Sequence, residues 1–325
     1  TLRHTKWNGL SFTDTIAPVF LFVIGVSIVF AYTRRLNDGT AKSSLYKKII
    51  FRSFKIFAVG MFLNLMPDFD FDNIRWTGTL HRIALVFMFC AILFLNTNWK
   101  QQVWIAAVLL VAYWLALTLI PTPGIGKVML NIVAWVDSKY LPGKMWQGTW
   151  DPESILSTIP AIVSGITGML VGRLMMSRLA PAEKVNYLMT AGLFSVIAGY
   201  FWGLIFPVNE NLWTSSFVLV TSGLGALLLG ALYFIVDMLG YKNGVRTGVI
   251  FGANAIAVYV LADVLALLFY RAEFGGLPLN ELAVNQLVQA GMQPERASWI
   301  YALFFVAVNF VPAYILYRKK IFIKL

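Results

Sequence analysis

Two imidazoles stand in this chain, His4 and His81, and imidazole is the side chain that titrates near neutral pH without help from its surroundings. His4 lies in Leu2-Arg3-His4-Thr5-Lys6-Trp7-Asn8-Gly9-Leu10, shortly before Asp14. A carboxylate at that spacing can orient the ring for general-base or nucleophilic work, or it can cap the helix that starts beside it. Spacing leaves both readings open, and with them the plain one of an exposed loop histidine. His81 is followed by Arg82 near the outer end of an apolar run, where an arginine must pair or reach water. Asp263, in the outer half of a later run, is the expected partner, as a structural ion pair or as part of a site.

Other polar groups fall into two sets. Asn254, in Gly252-Ala253-Asn254-Ala255-Ile256, and Asn309 sit inside apolar segments, where an amide either joins helices or binds substrate. The stretch 207–216 puts Asn209, Glu210, Asn211 and Trp213 in one loop entering a helix. Amides and a carboxylate suit sugar hydroxyls and an indole suits the ring face, although a capped interfacial turn has the same composition. Lys47, Lys48, Arg52 and Lys55 form a basic group that either orients the chain or holds a phosphorylated cofactor. Phosphate loops, nucleophile elbows and dinucleotide-binding glycine motifs are absent from the sequence. Two separated histidines and one cysteine cannot build a zinc site alone, so no metal is expected.

These groups must be positioned by apolar elements. Of 325 residues, 59% are hydrophobic and only 13% charged, with mean hydropathy +0.73. That excludes disorder and an ordinary water-soluble fold. A membrane helix needs roughly 20 apolar residues. Nine windows qualify: 14–33, 49–66, 79–97, 101–120, 154–173, 185–206, 213–237, 247–270 and 298–317. The second is weakest, because Arg52 and Lys55 lie in its first turns. The expected fold is all-α, one polytopic helix bundle over 1–325, with turns such as Pro121–Gly124 and outer insertions at 121–153 and 271–297. A short amphipathic surface helix is expected between Leu277 and Met292. Gly168-x-x-x-Gly172 and Gly248-x-x-x-Gly252 should let helices approach closely.

The net charge of +11 is read as a basic cytoplasmic face and not as nucleic-acid binding. Placing 34–48 inside puts 17 of the 26 basic residues on that side, Lys100, Arg173, Lys242 and Lys324 among them. Asp68, Asp70, Asp72, Asp151, Glu153 and Glu210 then lie outside, with Trp76, Trp146, Trp150 and Trp213 as interfacial anchors. Thr1 falls outside, and a further span is expected upstream of it.

The segment from His4 to Ser27, HTKWNGLSFTDTIAPVFLFVIGVS, resembles the signature of the transmembrane acetyltransferases related to lysosomal heparan-α-glucosaminide N-acetyltransferase, a family with bacterial NagX-like inner-membrane members. Lys48-Ile49-Ile50-Phe51-Arg52, Gly78 to Ala84, Asp151-Pro152-Glu153, 207–216 and 254–259 match in the same order. The resemblance implies acetyl-CoA as co-substrate, entering from the cytoplasmic side with its phosphates on Lys48 and Arg52. It implies a glucosamine-type amine on the outer side, with Asn209, Glu210, Asn211, Trp213, Asn254, Arg82 and Asp263 as binding residues. It makes His4 catalytic, with Asp14, either carrying acetyl or acting as base. Members commonly have Gln at the position of His81, which leaves His81 in a supporting role. The implied location is a bacterial inner membrane with His4 periplasmic. The expected partners are the amino-sugar acceptor and membrane lipids, without nucleic acid; a homo-oligomer is compatible with the sequence. The rival reading is a transporter of a small polar solute, with Arg82, Asp263 and Asn254 lining its path.

Overall fold

The computed structural model describes residues 3–66, 68–120, 131–274 and 276–323. The expected turn at Pro121–Gly124 lies outside the described residues, as do Thr1, Pro67 and Lys324. Among the described residues the fold is helical throughout: α1 (Ile16–Asn37), α2 (Lys42–Leu65), α3 (Thr79–Asn96), α4 (Trp99–Leu119), α5 (Asn131–Tyr140), α6 (Thr158–Met175), α7 (Pro181–Gly203), α8 (Ser215–Leu232), α9 (Val245–Ala253), α10 (Ala255–Tyr270), α11 (Leu279–Gln289) and α12 (Pro294–Arg318). The one sheet among these residues is a two-residue hairpin at 273–278. The helices cluster into two compact units, α1 to α8 and α9 to α12.

In the first unit, glycine sets the helix spacing. A Cβ on Gly168 of α6 would strike the backbone of Phe22 in α1, and one on Gly25 of α1 would strike the backbone at Gly165. The expected close approach at Gly168 and Gly172 is therefore real packing. Gly192, Gly199 and Gly223 do the same between α7 and α8. α2 runs antiparallel along α3. Lys42 Nζ donates to the Leu95 carbonyl at 2.8 Å, Tyr46 Oη donates to Asn96 at 2.7 Å, and Phe57 meets the His81 ring edge-on. Start and stop signals are local: Asn98 and Gln101 cap α4 reciprocally, and Gly39, at φ +78°, closes α1.

Among the described residues seven helices are long and apolar enough to cross a membrane, eight if α9 and α10 count as one broken span. The protein is an all-α polytopic membrane protein. Two of the nine expected spans need correction. α2 is a helix of 24 residues but is not among the seven, because Lys47, Lys48, Arg52 and Lys55 ride on it. The eighth is broken by 81° at Asn254.

The second unit explains that break. Asn254 Nδ2 donates to the Ile321 carbonyl at 3.0 Å, and its Oδ1 accepts from the Ile323 N–H at 2.8 Å. One buried side chain thus pairs like backbone with the segment after α12, where two adjoining helix ends leave polar groups unmatched. Both amide atoms bond the backbone of the C-terminal segment, which gives Asn254 the joining role that was one of its two sequence readings. Unlike the close approach expected there, nothing among the described residues lies within 4 Å of a Cβ placed on Gly248 or Gly252. The surface helix expected between Leu277 and Met292 is α11.

Candidate active site

Four loops meet at one end of the first unit: the segment before α1, the 70–78 loop, the 141–157 segment before α6, and the 204–214 loop between α7 and α8. Gly9 N donates to the Val208 carbonyl at 2.8 Å, with Gly9 at φ +119°, where a side chain would be strained. Asn209 Nδ2 donates to Asn8 Oδ1 at 3.1 Å, while Asn209 Oδ1 accepts from the Leu212 N–H at 3.0 Å. The Asn209 side chain, 1% exposed, thus clamps the two loops together and positions the site.

That clamp brings His4 to Glu210. His4 Nδ1 lies 2.8 Å from Asp14 Oδ1 and 2.8 Å from Glu210 Oε2. The surroundings of the two carboxylates differ. Asp14 has no exposed surface, and its Oδ2 accepts the Ser11 N–H at 2.7 Å. It orients the His4 ring and ties down the turn before α1, but no side-chain bond caps α1 itself, so the helix-capping alternative does not hold. Glu210 keeps 18% of its side chain exposed. Burial first, then the hydrogen bond with Asp14, push its carboxyl up to about 7 against the pull of His4. Partial burial disfavours the His4 imidazolium. The bond and charge of Glu210, followed by those of Asp14, outweigh it and raise His4 above its ordinary value.

With Nδ1 donating to carboxylates, the lone pair sits on Nε2, on a ring whose side chain is 59% exposed. This is the geometry that fixes a histidine tautomer for base catalysis. The three donor atoms also lie within 4.8 Å of one another, the spacing of a transition-metal site.

Arg82 is buried and finds its partners within its own unit. One guanidinium nitrogen donates to the Pro152 carbonyl at 2.6 Å and to Ser157 Oγ at 2.5 Å, with the plane 4.6 Å from the Trp213 ring centre. Asp263 is half-buried on α10 and bonded to Tyr259 one turn earlier. Within its own unit Arg82 thus meets a carbonyl, a hydroxyl and an indole, and its Nε has no hydrogen-bond partner among the described residues. Trp213, 3% exposed, donates from Nε1 to Ser164 at 3.2 Å and holds φ +51°, a conformation that costs about 1–3 kcal/mol outside glycine. It is a buried platform for Arg82 and has no exposed ring face for a sugar or an interface. Trp150 is likewise buried. Asn211 is half-buried, and its side chain makes no hydrogen bond to the described residues.

A second polar cluster escaped the sequence reading. Arg75 grips Asp151 with two bonds of 2.7 Å and Glu153 with one of 2.5 Å, its guanidinium over Trp146. Beneath it, fully buried Asp137 accepts N–H groups from Asp151 and Ile155. The adjacent acids of Asp151-Pro152-Glu153 were the available signal, since they require a cation among the outer loops. His81 is buried, and neither ring nitrogen has a partner among the described residues. At the opposite helix ends Lys48 is exposed, and Arg52 lies with its guanidinium 4.7 Å from the Phe87 ring centre.

The family profile described as heparan-alpha-glucosaminide N-acetyltransferase, catalytic, matches residues 2–200. The chain belongs to this family. It is 28% identical to heparan-alpha-glucosaminide N-acetyltransferase of Homo sapiens and 26% identical to that of Mus musculus, in each case over 99% of this chain and 56% of the relative. The chain therefore spans about half the length of the curated relatives it matches. The matched stretch holds His4, Asp14, Lys48, Arg52 and Arg82, whereas Glu210, which the fold brings to His4, lies beyond it. Its apolar helices make the chain a membrane-embedded member of that family.

Proposed function

We propose that this enzyme moves acetyl from acetyl-CoA at a basic inner face to the amine of a glucosamine-type sugar at the outer face. The carrying observation is His4: its Nδ1 is held by two carboxylates and its Nε2 is left as an accessible base. A sugar amine that has lost its ammonium proton to water attacks the thioester carbonyl. As the N–C bond forms, an amine proton passes to Nε2. As the C–S bond breaks, the imidazolium returns a proton to the sulfur, so the products are amide and thiol. Asp14 and Glu210 stabilise the imidazolium in between.

Glu210 and Asn211, beside His4, recognise the ammonium and a hydroxyl of the acceptor. Lys48 and Arg52 bind CoA phosphates, Arg52 through the planar fork that suits them. The distribution of basic residues supports an inner-membrane orientation with His4 periplasmic. The broken α9–α10 span favours one rival, a transporter, since discontinuous helices build solute sites in membranes. Purified protein in detergent separates the two. An acetyltransferase releases CoA thiol when given acetyl-CoA and glucosamine, whereas a transporter consumes neither and needs a sealed vesicle.

A further inference from the structure

His4, Asp14 and Glu210 form a donor set that the transfer reaction alone does not explain. One imidazole nitrogen and two carboxylate oxygens converge from two segments, the stretch before α1 and the 204–214 loop, all within 4.8 Å. Nδ1 stands 2.8 Å from each oxygen. When Nδ1 carries the ring proton, that proton lies between these atoms. A divalent ion with bonds of about 2.0–2.2 Å would need them only slightly further apart. Nitrogen plus carboxylate oxygen suits zinc and its neighbours in the first transition row.

The supporting shell is in place as well. Ser11 N–H holds the Asp14 oxygen that faces away from His4, and the Asn209–Asn8 clamp fixes the loop that carries Glu210. Such outer contacts pre-orient ligands for a metal. His4 and Glu210 both reach solvent, so an ion can enter from the side that the acceptor uses.

We propose that this cluster is a transition-metal site whose occupation silences the enzyme. The inference rests on His4 Nε2 being the base. A neutral imidazole carries one ring proton. In the working state that proton is on Nδ1, and the lone pair is on Nε2. A metal ion bonded to Nδ1 forces the proton onto Nε2, so the base is lost although the ring has not moved. The ion also neutralises the carboxylates that would stabilise the imidazolium. Metal and proton compete for one position, so zinc inhibits reversibly and a chelator restores the rate.

The test uses tag-free full chain and zinc chloride alone, titrated calorimetrically, with acetyl transfer measured in parallel. One zinc per chain is expected, with loss of transfer that follows its occupancy. His4→Ala and Glu210→Gln should each weaken zinc binding by at least the ~10–100-fold that loss of a mere supporting contact costs. His81→Gln should leave zinc binding unchanged. Stoichiometric binding that survives in both His4→Ala and Glu210→Gln places the ion elsewhere and overturns the proposal, as does wild-type protein that transfers acetyl but binds no zinc. Binding dependent on His4 without inhibition overturns the silencing and points to a base other than Nε2. A wild-type chain that binds zinc but never transfers acetyl instead indicts the acetyltransferase reading.

Discussion

Glu210 Oε2 lies 2.8 Å from His4 Nδ1, across 206 positions of sequence. The pairing gives His4 a second carboxylate, one that meets water, beside the sealed Asp14. Glu210→Gln removes that charge and keeps the shape. It should raise the KM for glucosamine more than it lowers kcat, because the ammonium loses its anionic partner while Asp14 still fixes the ring. Steady-state kinetics with glucosamine varied at saturating acetyl-CoA check this. A fall in kcat alone would limit Glu210 to stabilising the imidazolium and remove it from recognition of the acceptor.

The outer loops should show a stability maximum in pH. Arg75 works against the burial that opposes Asp151 ionisation and holds its carboxyl down to about 2, from an ordinary 3.8. A depressed pKa gives stability that is full above about pH 4 and lost as pH falls toward 2, worth about 2 kcal/mol. Asp137 is the reverse: burial, opposed by its two N–H bonds, pushes it up to about 6. Its contribution is full below about pH 4 and lost as pH rises through 6. Thermal unfolding across pH should therefore peak near pH ~4. Arg75→Met should flatten the acid limb and Asp137→Asn the alkaline limb. An alkaline limb unchanged in Asp137→Asn would assign it to another group.

Close packing of α1 on α6 makes Gly168 intolerant of any side chain. Gly168→Ala drives a methyl into the Phe22 backbone, and overpacking of that kind costs about 1–3 kcal/mol. Gly248→Ala meets open space and should be neutral or slightly stabilising through its helix propensity. Melting temperatures of the two variants in the same detergent test the contrast. Equal melting temperatures would contradict it.

Much of this architecture was legible in the sequence, because hydrophobic run length is a strong signal. Every expected span but the broken eighth is built on one long helix, and α11 appears where an amphipathic surface helix was expected. The errors came from residues whose role depends on partners distant in sequence. Nothing near Arg82 indicates that it would choose Ser157, the Pro152 carbonyl and Trp213 over an acid. Asn209 and Trp213 have the composition of a sugar site, yet folding spends one on Asn8 and buries the other. Asn254 reads as a buried amide from sequence. Only the fold shows that a helix ends on each side of it and that the C-terminal segment fills the gap. His4 and Asp14 were legible because they are near neighbours in the chain.

Sidedness can be tested directly. Cys90 is buried in the bundle, so Cys90→Ala leaves no native thiol to react. A cysteine introduced at position 242 should react with a membrane-impermeant maleimide only after cells are permeabilised, and one at position 70 should react in intact cells. The opposite pattern would invert the orientation and put His4 on the CoA side.

The central claim is that His4 Nε2 takes the acceptor's proton during acetyl transfer. Release of CoA thiol by the purified full chain, given acetyl-CoA and glucosamine, measures it directly in wild type, His4→Ala and His81→Gln. Removing a general base typically lowers the rate by ~10²–10⁴-fold. His4→Ala should fall by that factor while it still binds CoA and melts like wild type. His81→Gln should keep most of its rate. A folded His4→Ala enzyme working at near wild-type rate would contradict the account.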